Sequence, residues 1–444
     1  MDNGAFYFIQ VMNISKLYNI FKECNGVTTD SRTIEKDSLF FSIKGENFDG
    51  NKYAGEALDK GAKYAVIDNQ QCKKNDRYIL VENTLKSLQL LASYHMQQLK
   101  PQIKVLGLTG SNGKTTTKEL LASVLCKKFR VGFTKGNFNN HLGVPLTILS
   151  LNDKHEMAIV EMGANHVGEI HMLAEIAIPD YGLITNIGKA HLEGFGSVEN
   201  IIKGKTELFR YLQKKNGTCF INMDNSHLRA YSDSLKCEKI YYGNTENSYA
   251  RGFIKSNRSP FLIAEYSNGN EKTKVNTRLI GDYNLDNVNA AVAVGTYFGI
   301  GFLQIKESIE AYIPSNNRSQ FIDTGSNHVV LDAYNANPSS MEASIRNFMN
   351  RSGKNKMVIL GEMNELGDYS YEAHKRIVEI VRSDNLKIIL IGERFEPFHQ
   401  ISGIFYFKNT QKLIEWVKFN RILDAEILIK GSRTNQLEKI VEFL

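Results

Sequence analysis

The chain has 444 residues, 42% apolar and 23% charged: too long for one ordinary domain, and apolar enough to bury the cores of two or three. No apolar run approaches the roughly 18 residues of a membrane span. The stretch MDNGAFYFIQVMN has neither a basic leader nor a small-residue cleavage site, which argues against a signal peptide. Cys24, Cys72, Cys126, Cys219 and Cys237 are scattered, form no C-x-x-C pair, and read as reduced, mostly buried thiols of a cytoplasmic protein. The net charge of +6 is mild, with no basic block interleaved with aromatics, so no nucleic-acid surface is expected. A mild positive excess suits small anionic substrates, and genomic base composition produces such an excess equally well.

With only seven prolines, Pro101 and Pro314 serve as punctuation, and the expected domains are residues 1–100, 101–313 and 314–444. In the first, SLFFSIKG is a strand ending at Gly45, NKYAGEALDKG a helix stopping at Gly61, and KYAVID a second strand. The middle segment alternates the strands IKVLGLT, EMAIVEMG and DYGLITNIG with the helical stretches TTTKELLASVL, VGEIHMLAEIA and NIIKGKTELFRYLQ. Near-continuous apolar strands between helices imply a parallel sheet covered on both faces. The last segment repeats the style with the strands HVVLDAY, KMVILGEM, KIILIGE and AEILIKGS. Its expected helices are SMEASIRNFMN, YEAHKRIVEIV, QKLIEWVKF and QLEKIVEFL.

Ligands of open parallel sheets gather beyond the carboxyl ends of strands. After the first central strand stands Thr109-Gly110-Ser111-Asn112-Gly113-Lys114-Thr115-Thr116, a phosphate-binding loop in which Leu108 takes the place of the usual first glycine. Glycines let backbone N–H groups approach phosphate oxygens, and the helix N-terminus adds its dipole. Lys114 would neutralise β- and γ-phosphates, and the Thr115 hydroxyl could ligate Mg²⁺. Glu161 ends the next strand, as either a Mg²⁺ ligand or a solvated carboxylate. His191 follows the third, as a second metal ligand or an inert loop histidine. Lys205 is either a solvated helix-face lysine or a lysine that takes up CO₂ to become a carbamate. In DAYNANPSSM, Asp332 ends a strand, and Asn335, Asn337, Ser339 and Ser340 lead into a helix with more polar groups than capping requires.

These motifs together resemble the Mur ligase family. The loop without its first glycine is shared with folylpolyglutamate synthase, but the resemblance runs in order along nearly the whole chain. It rests on TTDSRTIEKDSLFFSIKGENFDG, TGSNGKTTTKE, TKGNFNNHLGVP, VEMGANHVGEI, NIGKAHLEGFGS, KGKTELF, GDYNLDNVNAAVAV, DAYNANPSSM, GEMNELG and LIKGSR. DAYNANPSSM discriminates most, because the family member adding the third peptide residue is expected to carry Asp-Asn-Pro-Arg there.

The resemblance implies an α/β protein of three domains: a small N-terminal α/β domain for the uridine nucleotide, a central P-loop parallel-sheet ATPase domain and a C-terminal Rossmann-like domain. It implies ATP- and Mg²⁺-dependent joining of D-alanyl-D-alanine to UDP-N-acetylmuramoyl-tripeptide through an acyl phosphate, by a cytoplasmic monomer. By that likeness Lys114, Lys205, His191 and Asn337 are catalytic. Thr115, Glu161, His191 and a carbamylated Lys205 hold Mg²⁺. The loop Thr109–Thr116, Asn287, Arg318 and Asp332 hold the nucleotide. Asp30, Ser31 and Arg32 lie at the UDP-muramyl moiety, Asn137, Asn139 and Asn140 at the peptidyl substrate, and Asn335, Asn337 and Ser339 at the dipeptide. Two positions depart from the family pattern, Asn51 after Asp49-Gly50 and Tyr283 in GDYNLDN, each where a histidine is frequent. The rivals are another amide ligase, such as folylpolyglutamate synthase, and a P-loop switch without ligase activity. The set Lys114, Glu161, His191 and Lys205 beside a second recognition domain weighs against the switch.

Overall fold

The computed structural model describes residues 13–444 except 101, 247, 257–259, 269–270, 316, 352, 354 and 385. Pro101 and the first twelve residues, read above for a domain boundary and a leader, lie outside these. The chain forms two compact units, one of residues 1–107, 129–163 and 169–181, the other of 108–128, 164–168 and 182–444.

The first unit carries a four-stranded parallel sheet in the order Val27–Thr28, Leu39–Phe41, Tyr64–Ile67 and Tyr78–Leu80. The expected strand through Gly45 stops at Phe41, and Lys44–Gly45 pairs instead with Phe48–Asp49. Gly50 forces that separation: its N–H bonds the Ile43 carbonyl, and a Cβ there would sit 2.5 Å from the same oxygen. Asn51 is buried. Its amide bonds Asp49 and Asp68 at 2.8 and 2.9 Å, so the residue standing in for a histidine braces the fold internally.

The second sheet has six strands in the order Glu238–Tyr242, Thr218–Asn222, Tyr181–Ile184, Lys104–Thr109, Met157–Glu161 and Val131–Phe133. The expected long helix NIIKGKTELFRYLQ is two helices, Val198–Lys205 and Glu207–Lys214. At the break the Thr206 hydroxyl donates to the Ile202 carbonyl at 2.7 Å, the back-bonding that bends helices. Residues 252–276 contain a three-stranded antiparallel meander absent from the sequence expectation. Its strand IAEYSN and the following EKTKVN are too polar to stand out by apolar content.

The third sheet orders Gln320–Asp323, His328–Asp332, Glu426–Lys430, Lys356–Gly361, Lys387–Ile391 and Ile404–Phe407, parallel except for its antiparallel first edge. Alternate residues serve two cores. Val330, Val358, Leu360 and Leu428 meet Met341, Ile345, Ile377 and Val381, while Val329, Ile359, Ile427 and Ile429 meet Leu413, Val417 and Leu437. That double burial is why these strands read as unbroken apolar runs. QLEKIVEFL, expected as a helix, winds as a tighter 3-10 helix over Leu437–Phe443.

The thiol expectation needs one correction. No disulfide joins any of the five cysteines, but only Cys219 is buried, and Cys126, just past the end of its helix, is exposed. No helix among the described residues is long and apolar enough to cross a membrane.

Candidate functional site

The phosphate loop joins a buried strand to the helix Lys114–Leu125. Leu108 is fully buried, so the missing first glycine is a core residue of the strand. The loop's own turns fall at Gly110 (φ +148°) and Gly113 (φ +76°). A Cβ at Gly110 would overlap the Thr185 hydroxyl, and one at Gly113 the Asn287 amide. The neighbouring strand end holds the loop from one side. Thr185 Oγ1 donates to Asn112 O at 2.6 Å, Asn186 Oδ1 accepts from Asn112 N at 3.0 Å, and Ser111 Oγ donates to Gly188 O at 3.0 Å. Lys114 Nζ folds back onto the Gly110 carbonyl at 2.7 Å.

Asn287 lies on the other side, nearly buried, its Oδ1 accepting from Thr117 Oγ1 at 3.0 Å and its Nδ2 donating to Asn284 at 2.7 Å. It therefore braces the first turn of the loop's helix. Tyr283, the second departure, is half-buried with its hydroxyl 3.0 Å from Ser319 Oγ, and loss of solvent around that hydroxyl pushes its pKa up to about 12. It ties its own segment to the residue after Arg318.

His191 sits at φ +54° with Nδ1 hydrogen-bonded to Glu365, from the GEMNELG loop. The Glu193 N–H donates to the Glu365 carbonyl at 3.2 Å, joining the two loops by backbone as well. The His191 hydrogen bond holds the Glu365 carboxyl below the usual carboxylate range, against its partial burial, and the Lys114 charge adds to the effect. Lys205 is 1% exposed, so the solvated-face reading falls. Its Nζ donates to the Ala164 carbonyl at 3.2 Å and lies 5.3 Å from the Phe195 ring centroid.

Asn337 caps the helix Pro338–Asn350 through a capping box with Ser340, and its Nδ2 donates to Asn112 Oδ1 at 2.8 Å. Ser339 Oγ accepts from the Lys189 N–H at 3.0 Å. The recognition loop is thus bonded to both the phosphate loop and the His191 loop, while the Asn335 side chain accepts from the N–H of its neighbour Ala336 at 2.9 Å. Asp332 pairs with buried Lys430 at 2.5 Å. The Arg318 guanidinium lies 3.8 Å from the Tyr334 ring centroid, its buried Nε without a hydrogen-bond partner.

The first unit groups its expected residues separately. Glu161 is 1% exposed, against the solvated reading, and its Oε1 accepts from Asn139 Nδ2 at 2.8 Å. Asn140 Oδ1 accepts from Leu142 N and Gly143 N, capping a helix start, and Asn137 O accepts from Asn139 N at 2.7 Å. Asp30 is held near a pKa of about 2, chiefly by hydrogen bonds from Arg32, whose side chain is 85% exposed. Lys60 Nζ bonds the Ser31 carbonyl at 2.9 Å.

Sequence reasoning missed Glu365, Tyr334, Lys430 and Arg433. All four stand in or beside quoted motifs, and the signal that finds them is their place at strand ends adjacent in the sheet. Among the described residues no three His, Cys, Asp or Glu side chains converge to cage a metal. Mg²⁺ does not need such a cage, because it keeps waters and takes one or two carboxylates plus substrate phosphates.

Three family models cover the chain in order: "Mur ligase family, catalytic domain" over residues 23–95, "Mur ligase middle domain" over 108–295 and "Mur ligase, glutamate ligase domain" over 317–433. The UDP-N-acetylmuramoyl-tripeptide–D-alanyl-D-alanine ligase of Bacillus subtilis is 35% identical over 435 residues, covering 95% of this chain and 93% of the relative. Among solved structures, MurF from Acinetobacter baumannii superposes with a TM-score of 0.84 at 27% identity, covering 97% of this chain and 98% of that one. MurF ligase from Thermotoga maritima, solved in complex with ADP, gives 0.83 at 26% identity, covering 96% and 97%. With these matches running from end to end over a shared three-domain α/β fold, the chain belongs to the Mur ligase family.

Proposed function

We propose that the protein joins D-alanyl-D-alanine to UDP-N-acetylmuramoyl-tripeptide at the expense of ATP, in cytoplasmic peptidoglycan precursor synthesis. The observation that carries this reading is the hydrogen bond from Asn337 to Asn112, which ties the recognition loop to the phosphate loop. The relatives' shared activity supports it. The working division is residues 1–100 for the UDP-muramyl-peptide, 101–313 for ATP and 314–444 for the dipeptide and the nucleotide's outer side.

A carboxylate is a poor electrophile. The tripeptide carboxylate oxygen attacks the γ-phosphorus, the bond to ADP breaks, and an acyl phosphate forms. Backbone N–H groups of Gly110 to Thr115 and the Lys114 ammonium stabilise the charge on the transferring group. The dipeptide amine then attacks the acyl carbon, loses its proton, and phosphate leaves from the tetrahedral intermediate. Asn335, Asn337 and Ser339 orient the amine. Asp30, Ser31 and Arg32 bind the UDP-muramyl end, and Asn137, Asn139 and Asn140 the peptide. Arg318, Asp332 and Asn287 complete the nucleotide side. Closure of the C-terminal domain would exclude water from the acyl phosphate, and compaction in solution scattering with both substrates tests it.

Thr115, Glu161, His191 and Lys205 would hold Mg²⁺, which when bound offsets phosphate charge. Lys205 suits carbamylation because the modified nitrogen keeps one N–H for the Ala164 carbonyl while gaining an anion. Lys205→Ala should lose activity and regain part of it with short carboxylic acids; full activity without them would remove the carbamate role. The test of the whole reading is phosphate release with UDP-muramyl-tripeptides ending in lysine or diaminopimelate, each with D-alanyl-D-alanine. Release with neither would overturn it.

A further inference from the structure

Three adjacent strands of the last sheet, His328–Asp332, Glu426–Lys430 and Lys356–Gly361, end side by side. The ends of the last two approach so closely that a Cβ on Gly431 would lie 2.9 Å from Gly361 Cα. The loop after the middle strand is fastened to its neighbour. Asn364 N donates to Ser432 Oγ at 3.2 Å, and Asn364 Nδ2 donates to Thr434 Oγ1 at 2.8 Å. Arg433, held between these two anchors, is exposed and turns to the other neighbour. Its guanidinium lies 5.3 Å from the Tyr334 ring centroid, with Nη1 3.5 Å from the Tyr334 hydroxyl.

The cations of this rim divide by their partners. Lys430 is spent on Asp332, and Arg394 pairs with Glu362 at 3.8 Å and bonds Asn364. Among the described residues, no ion pair involves Arg433 or Arg318. Arg318 has its guanidinium carbon closer to the same ring and its Nε buried, which leaves Arg433 as the accessible member. Tyr334 is the residue immediately before Asn335.

The acceptor dipeptide presents one ionised group that does not react, its terminal carboxylate. Binding must recognise that group while leaving the amine neutral and free to attack. A planar guanidinium meets a carboxylate with two parallel hydrogen bonds, and stacking on an aromatic ring reduces the freedom lost when it does so. We propose that Arg433, oriented by Tyr334, binds the terminal carboxylate of the incoming dipeptide and makes that carboxylate a requirement for the acceptor. This inference rests on the ligase reading above and names the acceptor-binding residue of the same site.

The test is steady-state phosphate release by the full chain with D-alanyl-D-alanine and with its carboxyl-terminal amide. The unsubstituted protein should show a KM about 10- to 100-fold higher for the amide, the size expected for hydrogen bonds to a charged group. Arg433→Ala should raise KM for the dipeptide by a similar factor, leave KM for the amide and for ATP within about twofold, and so abolish the discrimination. Arg433→Lys should recover part of it. Arg433→Gln, which keeps the bulk and the stacking surface, should behave as Arg433→Ala does. An unchanged KM and intact discrimination in Arg433→Ala would overturn the inference, as would an effect confined to ATP. No release by the unsubstituted protein with any dipeptide would overturn the ligase reading as well, and the two failures are thus distinct.

Discussion

Asp30-Ser31-Arg32 and the phosphate loop are comparably plain motifs in the sequence, yet they exist in opposite physical states. The triplet is open to solvent at its arginine and half-buried at Asp30 and Ser31, and that arginine is engaged mainly by its own aspartate two residues away. The phosphate loop is surrounded: strand-end groups at Thr185, Asn186 and Gly188 hold one side, Asn287 the other, and Asn337 reaches Asn112 from more than two hundred residues on. A substitution in the first acts through whatever ligand it meets. A substitution in the second first disturbs the protein.

That contrast is most exposed to failure at Asp332. Removing it strands the Lys430 ammonium, whose side chain is 2% exposed. Asp332→Ala should therefore cost about 3–5 kcal/mol in denaturant unfolding. Adding Lys430→Met should restore most of it. A single variant as stable as the parent would mean that the pair is not buried in solution.

Next in size is Gly110→Ala. Its Cβ must displace the Thr185 hydroxyl at a φ that side chains rarely adopt, moving the loop by a fraction of an ångström or more. Misplacements of that order cost about 100-fold in rate, so phosphate release should fall by about that factor while circular dichroism stays native. Near-normal turnover would show the loop to be softer than its contacts indicate.

A pH titration probes the bracing of GEMNELG. Buried His374 accepts from the Met363 N–H at Nε2, 3.0 Å away, and burial lowers its pKa from 6.5. In the unfolded chain it binds a proton near pH 6.5, whereas the folded form resists. Its contribution is therefore complete above that pH and is lost as pH falls toward the depressed folded value. His95, also depressed by burial, acts in the same direction. Urea midpoints should drop between pH 7 and 5.5, at up to about 1.4 kcal/mol per pH unit for each histidine. A midpoint that rises on acidification would break this account.

The smallest effect belongs to exposed Arg32 of the triplet. Arg32→Ala should leave the urea midpoint essentially unchanged while the Asp30 carboxyl, followed by NMR, climbs from about 2 toward its ordinary 3.8. A marked loss of stability would erase the distinction between the two regions.

How far the fold was legible follows the same line. Strands buried on both faces, such as KMVILG and KIILI, announced themselves by composition, and the capping signal Asn337-Pro338 marked its helix start. The polar meander of residues 252–276 did not stand out, because its pairing partners, rather than its apolar content, make it a sheet. The break at Thr206 depends on one hydroxyl choosing a backbone carbonyl. Lys205 shows the limit most sharply. The sequence offered a solvated face lysine or one that takes up CO₂, and only packing against Phe195 and Ala164 removed the solvated reading.

The sequence by itself determined the parallel-sheet architecture and the phosphate loop, because these rest on local geometry: apolar runs, glycines at forced turns and helix caps; its ordered motifs carried the resemblance to the family. The tertiary structure alone decided that Asn287 and Asn51 serve as braces, that Glu365 orients His191, and that Arg433 and Arg318 both lie by Tyr334. Those pairings join residues distant along the chain, and a hydrogen bond or a stacked ring requires an approach that only the folded strands and loops provide.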